Sequence, residues 1–329
     1  MNCFCCGKPL RKKNINGWHP ACVKRFFGTN TIPQIEIDDH TLEEIAKENT
    51  NKGITVPGVQ KKLSLHLHSG DNTPRLTLVN YPTGYILKPQ VAEFECLPEA
   101  EQLVMTMADR TGISTVPHAL IKSGDTFAYI TKRVDRIIDK NGIQMLAMED
   151  FCQLDLRLTQ DKYKGSYERC AKVIAKYSSQ PKLDMTELFM RLVFSFVVGN
   201  SDMHLKNFSL IETQEASGVY VLSPAYDLLP VNVIMPEDTE EFALAMNGKK
   251  ARIRKQDFFA FAEKCVIPGV SAEKMIAKIV SLKPKYQELC ANSMLSPPLK
   301  ERFSELIEER CRVLNGNMDV LPEDAKGAK

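Results

Sequence analysis

The pattern of apolar and polar positions changes character along the chain. Lys62-Leu-Ser-Leu-His-Leu-His68 alternates apolar with polar, the period of a strand buried on one face. Arg75-Leu-Thr-Leu-Val79 and Tyr85-Ile-Leu-Lys88 read as further strands, separated by the turn formers Ser69-Gly-Asp-Asn72 and Tyr81-Pro-Thr-Gly84. Between Glu99 and Arg110 the period lengthens. Leu103, Val104, Met107 and Ala108 recur at helical spacing, and Gly112 marks the stop. Ala119–Lys122 and Thr126–Thr131 predict another hairpin. The expectation for this region is a small, mainly antiparallel sheet with one helix.

From about residue 145 the helical period dominates. Asp184 with Glu187 has the form of a capping box, and Leu188, Leu192, Val193, Phe196 and Val197 follow with few charges. This predicts a central, buried helix ending at Gly199. Further helices are expected over 255–266, 271–283 and 298–314, the last stopped by Gly316. Residues 28–53 read as a polar linker with one short helix, capped by Thr41 and Glu44. The tail after Asn317 is polar and expected to fray. No internal repeat or low-complexity segment is evident.

Composition narrows the class without naming a function. The 329 residues can bury a large core in one or two domains. The net charge of +2 gives no basic field of the kind that marks a nucleic-acid binder. The clusters Arg11-Lys12-Lys13 and Lys249-Lys250 to Lys255 read as solvated faces, so direct nucleic-acid binding is not expected. No apolar run reaches membrane-spanning length, and Met-Asn-Cys-Phe-Cys-Cys lacks the apolar segment of a signal peptide. The expectation is a cytoplasmic protein with reduced thiols and no membrane partner. Cys96, Cys152, Cys170, Cys265, Cys290 and Cys311 then read as small buried hydrophobes rather than disulfides.

The first residues are different. Cys3-x2-Cys6 and His19-x2-Cys22 make two close pairs of soft ligands, the arithmetic of a four-coordinate zinc site, with Gly7 supplying the turn after the first pair. A segment this short has no core of its own, so a metal would supply its folding energy. Cys5 is a spare that could replace Cys3 or Cys6. The competing reading is a flexible, metal-free terminus that happens to carry cysteines. With four protein ligands no coordination position stays open, so catalysis by such a zinc is not expected.

A second set of residues carries chemistry. In Val198-Val-Gly-Asn-Ser-Asp-Met-His-Leu-Lys-Asn-Phe208, Asp202 stands five residues before Asn207, and Asp227 follows twenty residues later in Ser223-Pro-Ala-Tyr-Asp-Leu228. Kinase-like phosphoryl transfer uses one Asp to accept or orient the attacking hydroxyl, and an Asn and a second Asp to hold magnesium. The D-x4-N spacing alone also fits an ordinary polar loop. Upstream, Gly58 in Thr55-Val-Pro-Gly58-Val-Gln-Lys61-Lys62 permits close backbone approach to a phosphate, although the loop is not a Walker motif and a plain turn fits it too. Lys88 ends a strand, and Glu101 on the next helix is a candidate partner for it; a solvated lysine is the bland alternative. The order of these parts, glycine loop, lysine strand, glutamate helix, Asp–Asn and then Asp, is the order that a bilobal kinase-like fold requires.

With these residues in place, the stretch from about Gly53 to Leu314 resembles the HipA-like serine/threonine kinases of bacterial toxin–antitoxin systems, and within them the short HipT branch. Gly58-Val-Gln-Lys-Lys-Leu-Ser64 looks like the family's G-x-Q-x-K loop, and Gly199-Asn-Ser-Asp-Met-His-Leu-Lys-Asn-Phe208 like its D-x-H-x-x-N-F signature. Arg133-Val-Asp-Arg136 resembles the segment after the hinge, and Glu149-Asp-Phe-Cys-Gln153 a segment of structural role. The resemblance implies Asp202 as catalytic base and Asn207 and Asp227 as magnesium ligands. It implies ATP contacts from Val56, Gly58, Gln60, Lys61, Lys88, Glu101, Lys132, Val134, His204, Asn207 and Asp227, with Lys132 and Val134 acting through backbone. His204 is read as bracing the loop, since the position of the base is already filled.

The resemblance also implies autophosphorylation of a hydroxyl just before the glycine. Where HipT-type loops often carry S-x-S, this chain has Thr55 and Pro57, so Thr55 would serve alone. Further implied are a protein substrate such as an aminoacyl-tRNA synthetase, a HipB-like DNA-binding antitoxin and a HipS-like small partner. By the same resemblance, the N-terminal subdomain of long HipA proteins is not expected here, and the cysteine head stands in its place.

The expected fold is therefore α+β: a bilobal, kinase-like architecture of the HipA and phosphoinositide-kinase kind. Its expected parts are a zinc-knuckle-like head over 1–28, a linker over 29–53, a β-rich nucleotide lobe over 54–137, a helical catalytic lobe over 138–316 and a disordered tail over 317–329. ATP, Mg2+ and structural Zn2+ are the expected cofactors. Two other functions remain open at this point: a kinase of small molecules with the same site, and a degenerate kinase acting as a zinc-headed interaction module.

Overall fold

The computed structural model describes residues 2–10, 14–36, 62–68, 75–78, 84–139 and 142–316. The glycine loop, with Thr55, Val56, Gly58, Gln60 and Lys61, lies outside the described residues, as do the capping pair Thr41 and Glu44 and the tail.

The chain opens with helix α1 (Pro20–Phe27), then strands β1 (Gln34–Glu36), β2 (Leu63–His68), β3 (Arg75–Leu78) and β4 (Tyr85–Pro89). Helix α2 (Leu97–Thr111) intervenes before strands β5 (His118–Ser123) and β6 (Thr126–Lys132). These strands form one sheet in the order β1-β3-β2-β4-β6-β5. All its pairings are antiparallel except that of β1 with β3, which is parallel. The alternation in the sequence is visible in space: Leu63 and Leu65 of β2 are buried while Lys62 and Ser64 are exposed. Strand β1 falls where only a linker and a helix are expected. A strand of three residues is too short to announce itself by periodicity, and it forms through a long-range pairing with β3.

The head wraps this sheet. At one edge, the backbone of Phe4 accepts a hydrogen bond from Leu120 N (2.9 Å) and the Trp18 indole donates to Leu120 O (3.1 Å), so the head satisfies groups that edge strand β5 would otherwise leave open. Phe26 and Phe27 of α1 then pack on Tyr85, and the Tyr85 hydroxyl donates to Phe26 O (3.1 Å). Head and sheet share one apolar core that includes Trp18, Val23, Phe26, Phe27, Leu65, Leu87, Leu120 and Ile130. Each fully buried Phe there contributes roughly 1.5–3 kcal/mol. The head thus has a borrowed core where the sequence offers none of its own.

Beyond the sheet come a hairpin, β7 (Arg136–Asp139) with β8 (Gly142–Met145), and a three-stranded sheet β11-β10-β9. The latter is built from β9 (Met148–Asp150), β10 (Ser209–Glu212) and β11 (Tyr220–Leu222), with the four-residue helix α3 (Phe151–Leu154) following β9. The helices are α4 (Tyr167–Tyr177), α5 (Pro181–Val197), α6 (Val231–Ile234), α7 (Lys255–Lys264), α8 (Gly269–Ser281), α9 (Lys283–Ala291) and α10 (Pro297–Asn315). Around residue 145 the chain is therefore not helical at once. Short strands come first, and they fix the segment that follows α5.

Helix α5 is the central buried helix expected from its apolar spacing, but it begins earlier. Gln180 is its N-cap and Pro181 opens it. Asp184 is not a cap. It is buried and accepts hydrogen bonds from Ser178, Gln180 and the Leu222 backbone, which ties α5 to β11. Glu187 pairs instead with the buried Arg191 one turn on (3.0 Å). None of the ten cysteines is paired in a disulfide.

Candidate active site

Helix α5 aims the chain at a cleft. The helix ends at Val197, and Gly199 turns the backbone with φ of 66°. A side chain there would be strained and would meet Leu306 at 3.0 Å, so glycine is the residue that fits. The loop then locks on the carbonyl oxygen of Asp202, which accepts from His204 N (2.8 Å) and from Asn207 Nδ2 (2.9 Å). A 3-10 turn over Leu205–Asn207 closes it. Since the Asn207 amide nitrogen is spent inside the loop, its Oδ1 is the atom left for a ligand.

The cleft has a volume of about 610 Å3, within the size range of small-molecule sites. Lys62, Lys88, Lys132 and Val134 line it from the sheet, and Asp202, His204, Asn207 and Asp227 from the helical side. Residues 88, 101, 202, 207 and 227, far apart in sequence, thus converge. Lys88 is buried and donates to Glu101 Oε1 at 2.5 Å and to Asp227 Oδ1. Lys62 donates to the other Asp227 oxygen at 2.7 Å. The Tyr129 ring lies 5.2 Å from the Lys88 ammonium and adds a cation–π contact.

Electrostatics separate the two aspartates. Burial alone would raise the pKa of Asp227, but Lys62 and Lys88 outweigh it and hold the carboxyl well below the usual range. Asp227 is thus a permanent carboxylate. It sits at φ of 55°, a left-handed conformation that a non-glycine residue adopts where the surroundings impose it. Asp202 is opposite in character: burial pushes it up to about 6, against the hydrogen bond from Tyr163 and the nearby charge of Lys162. A carboxylate tuned toward neutral pH is what a general base needs. Burial works against the Lys88 charge, yet Asp227 and Glu101 leave its pKa above the ordinary lysine value. Burial also lowers the His204 pKa to about 4, aided by Lys162, so the imidazole is neutral at physiological pH. It packs edge-on against Tyr163 with centroids 5.0 Å apart.

Lys132 and Val134 line the cleft, and the Lys132 N–H is taken by Pro117 O (2.9 Å). Arg133 grips Asp135 through two bonds of 2.9 and 2.7 Å, and Arg136 adds a third of 2.5 Å. Asp150 of the structural segment caps α3 in a capping box with Gln153 and also accepts from Lys206 (2.7 Å) at the cleft wall.

Four residues in or beside the cleft have no place among the site residues expected from the sequence. Lys62 is the lysine of the G-x-Q-x-K pattern, and the alternation of β2 puts it on the face opposite Leu63 and Leu65. Tyr163 donates to Asp202 Oδ1 at 2.8 Å, and Lys162 lies beside it. Tyr226 pins the loop by donating to Lys206 O (3.0 Å) and pairing with Ser209 (2.6 Å). Lys62 and Tyr226 stand inside segments singled out in the sequence, whereas Lys162 and Tyr163 carry no such signal.

Asn207 Oδ1 and the Asp227 carboxylate are hard oxygen donors of the number magnesium takes from a protein, so the residues fit that ion. Away from the cleft, Cys3, Cys6, His19 and Cys22 bring their ligand atoms within 4.8 Å of one another, and Cys5 is not among them.

Comparison with known proteins agrees with this geometry. The family model of the HipA-like C-terminal domain matches residues 54–285, more than half of the chain. A protein of Haemophilus influenzae named "Putative kinase" is 25% identical over 94% of this chain and 96% of its own length. Two Sinorhizobium fredii proteins named "Putative kinase Y4mE" and "Putative kinase Y4dM" are 29% and 30% identical, over 62% and 73% of this chain; the matches span 48% and 59% of those proteins. Among solved structures, the HipA, HipB and operator DNA complex of Shewanella oneidensis matches with a TM-score of 0.67 at 20% identity, over 80% of this chain and 65% of that one. The proinflammatory kinase CtkA of Helicobacter pylori matches with a TM-score of 0.52 at 14% identity, over 78% and 94%. The bilobal α+β fold expected from the order of motifs is thus the fold of HipA and CtkA, and the chain belongs to the HipA-like C-terminal domain family.

Proposed function

We propose that the protein is an ATP- and magnesium-dependent serine/threonine protein kinase, acting as the toxin of a HipA-like toxin–antitoxin pair. The observation that carries this reading is the convergence of Asp202, Asn207, Asp227 and the Lys88–Glu101 pair on one cleft. Family membership and relatives that are kinases by name support it.

In this reading Lys88, held by Glu101, is the fixed cation for the nucleotide's phosphates, and the Val134 backbone stands at the adenine end. Asn207 Oδ1 and Asp227 hold magnesium, which when bound neutralises charge on the phosphate oxygens. Asp202 orients the substrate hydroxyl and takes its proton. As the bond from that oxygen to the γ-phosphorus forms, the bond from the γ-phosphorus to the bridging oxygen breaks, and ADP leaves. Tyr163 holds the Asp202 carboxylate for that proton transfer.

The substrate is a protein hydroxyl, with an aminoacyl-tRNA synthetase as the proposed target. A HipB-like DNA-binding protein is the proposed antitoxin, by likeness to the Shewanella assembly, and a HipS-like small protein a second partner. Thr55 is the proposed autophosphorylation site, where phosphate would put negative charge beside a phosphate-binding loop. The described residues contain no helix long and apolar enough to cross a membrane. Zinc in the head would be structural only.

Incubation with labelled ATP, magnesium and a cell lysate tests the reading, with the labelled proteins identified by mass spectrometry. Label on seryl or threonyl residues of a discrete protein, lost with Asp202→Ala, supports it. Label confined to small molecules contradicts it.

A further inference from the structure

The head and the cleft meet on one helix. Glu101 of α2 turns to Lys88, while Gln102, Thr106 and Arg110, spaced by four, form a stripe toward the head. Gln102 Nε2 donates to Cys5 O at 3.4 Å and Arg110 to Cys6 O at 2.9 Å. Thr106 Cγ2 lies 3.3 Å from where a side chain on Gly7 would begin. The carbonyls that hold α2 therefore belong to the turn that carries two of the four clustered ligands.

The cluster has the geometry of a metal site. The Cys6 and Cys22 sulfurs lie 3.5 and 3.9 Å from His19 Nδ1. Tetrahedral zinc, with bonds of about 2.3 Å to sulfur and about 2.0 Å to nitrogen, separates such atoms by about 3.5 Å. His19 Nε2 lies 3.0 Å from Pro9 O. Donation to that carbonyl fixes the tautomer and leaves Nδ1 unprotonated for a metal. Cys22 sits in the first turn of α1, three residues after His19, so helical geometry holds this pair together. Gly17 closes the loop between the pairs at φ of 85°, where a side chain would run into the Phe4 ring at 2.2 Å.

We propose that Cys3, Cys6, His19 and Cys22 bind one tetrahedral zinc ion, and that this ion, by fixing the Cys5 and Cys6 carbonyls against α2, holds Glu101 in register with Lys88 and so sets nucleotide affinity. The second half rests on the kinase reading; the first does not. Three thiolates and one imidazole are a soft set that selects zinc over magnesium. Without the ion, the turn loses the constraint that orients both carbonyls, and α2 loses two hydrogen bonds.

The test uses the full chain. Zinc is removed under reducing conditions, the chelator is dialysed away, and Co2+ is titrated in. The expected result is one equivalent of Co2+ with thiolate charge-transfer and tetrahedral d–d bands, retained in Cys5→Ser and lost in Cys22→Ser. Absence of the bands from the unaltered chain, or binding that survives in Cys22→Ser, overturns the site whatever the protein's activity. ATP binding is then measured in magnesium buffer with and without zinc. Loss of the two hydrogen bonds predicts affinity weaker by about tenfold without zinc. Equal affinity in the two forms overturns the coupling while leaving the site intact. Absence of ATP binding in both forms overturns it too, through the kinase reading, with the cobalt result standing apart.

Discussion

The cleft and the head face opposite sides of α2 and are built by opposite routes. The head gathers four soft ligands from twenty consecutive residues, and the pairing of Cys3-x2-Cys6 with His19-x2-Cys22 shows them in the sequence. The cleft gathers hard oxygens and ammonium groups from Lys62 to Asp227, and its central pair, Lys88 with Asp227, spans 139 positions. A local set can be placed by spacing alone. A dispersed set needs the sheet, α2 and α5 in position before its charges meet. The cleft thus depends on distant elements packing together and the proposed metal site on local spacing, with α2 as the link between them, and substitutions probe each.

The largest effect is expected in the cleft. Asp202→Ala removes the proposed base and is expected to lower phosphoryl transfer by about 10²–10⁴-fold with ATP binding retained, read by single-turnover kinetics beside a binding assay. Lys88→Ala breaks a buried ion pair and leaves Glu101 without its partner. It costs roughly 3–5 kcal/mol of stability, read by denaturant unfolding, together with most nucleotide affinity. Cys22→Ser should leave Asp202 untouched: metal content falls from one per chain, while the pH profile of any residual activity stays where it was.

A subtler prediction concerns pH. As the proposed base, Asp202, raised to about 6 by burial, would act when deprotonated, so kcat/KM is expected to fall as pH drops through about 6. The Tyr163 hydrogen bond opposes that rise. Tyr163→Phe moves the acid limb upward by about one pH unit, since a hydrogen bond to a charged group is worth roughly 1.5–3 kcal/mol. An acid limb that moves downward would assign the titration to another group.

Much of this arrangement is legible in the sequence. The alternation of β2, the apolar spacing of α2 and α5, and the Asp202, Asn207 and Asp227 spacing all reflect local periodicity or chain order. What sequence hides is tertiary. Tyr163 reaches Asp202 across 39 positions from a loop without a motif. Asp184 looks like a cap because its spacing to Glu187 is that of a capping box, yet a hydrogen bond from Leu222 N assigns it to the strand beside it. Cys5 looks interchangeable with Cys3 and Cys6, and only the path of the turn excludes it from the cluster. The strands flanking the Asp202 loop are three or four residues each, too short to outweigh the helical texture around them.

The central claim is that the cleft transfers phosphate through Asp202. Purified protein and its Asp202→Ala variant, matched for folding by circular dichroism and for ATP binding, are given labelled ATP, magnesium and lysate. The expected result is protein-bound label with the first and almost none with the second. Equal labelling by both would contradict it.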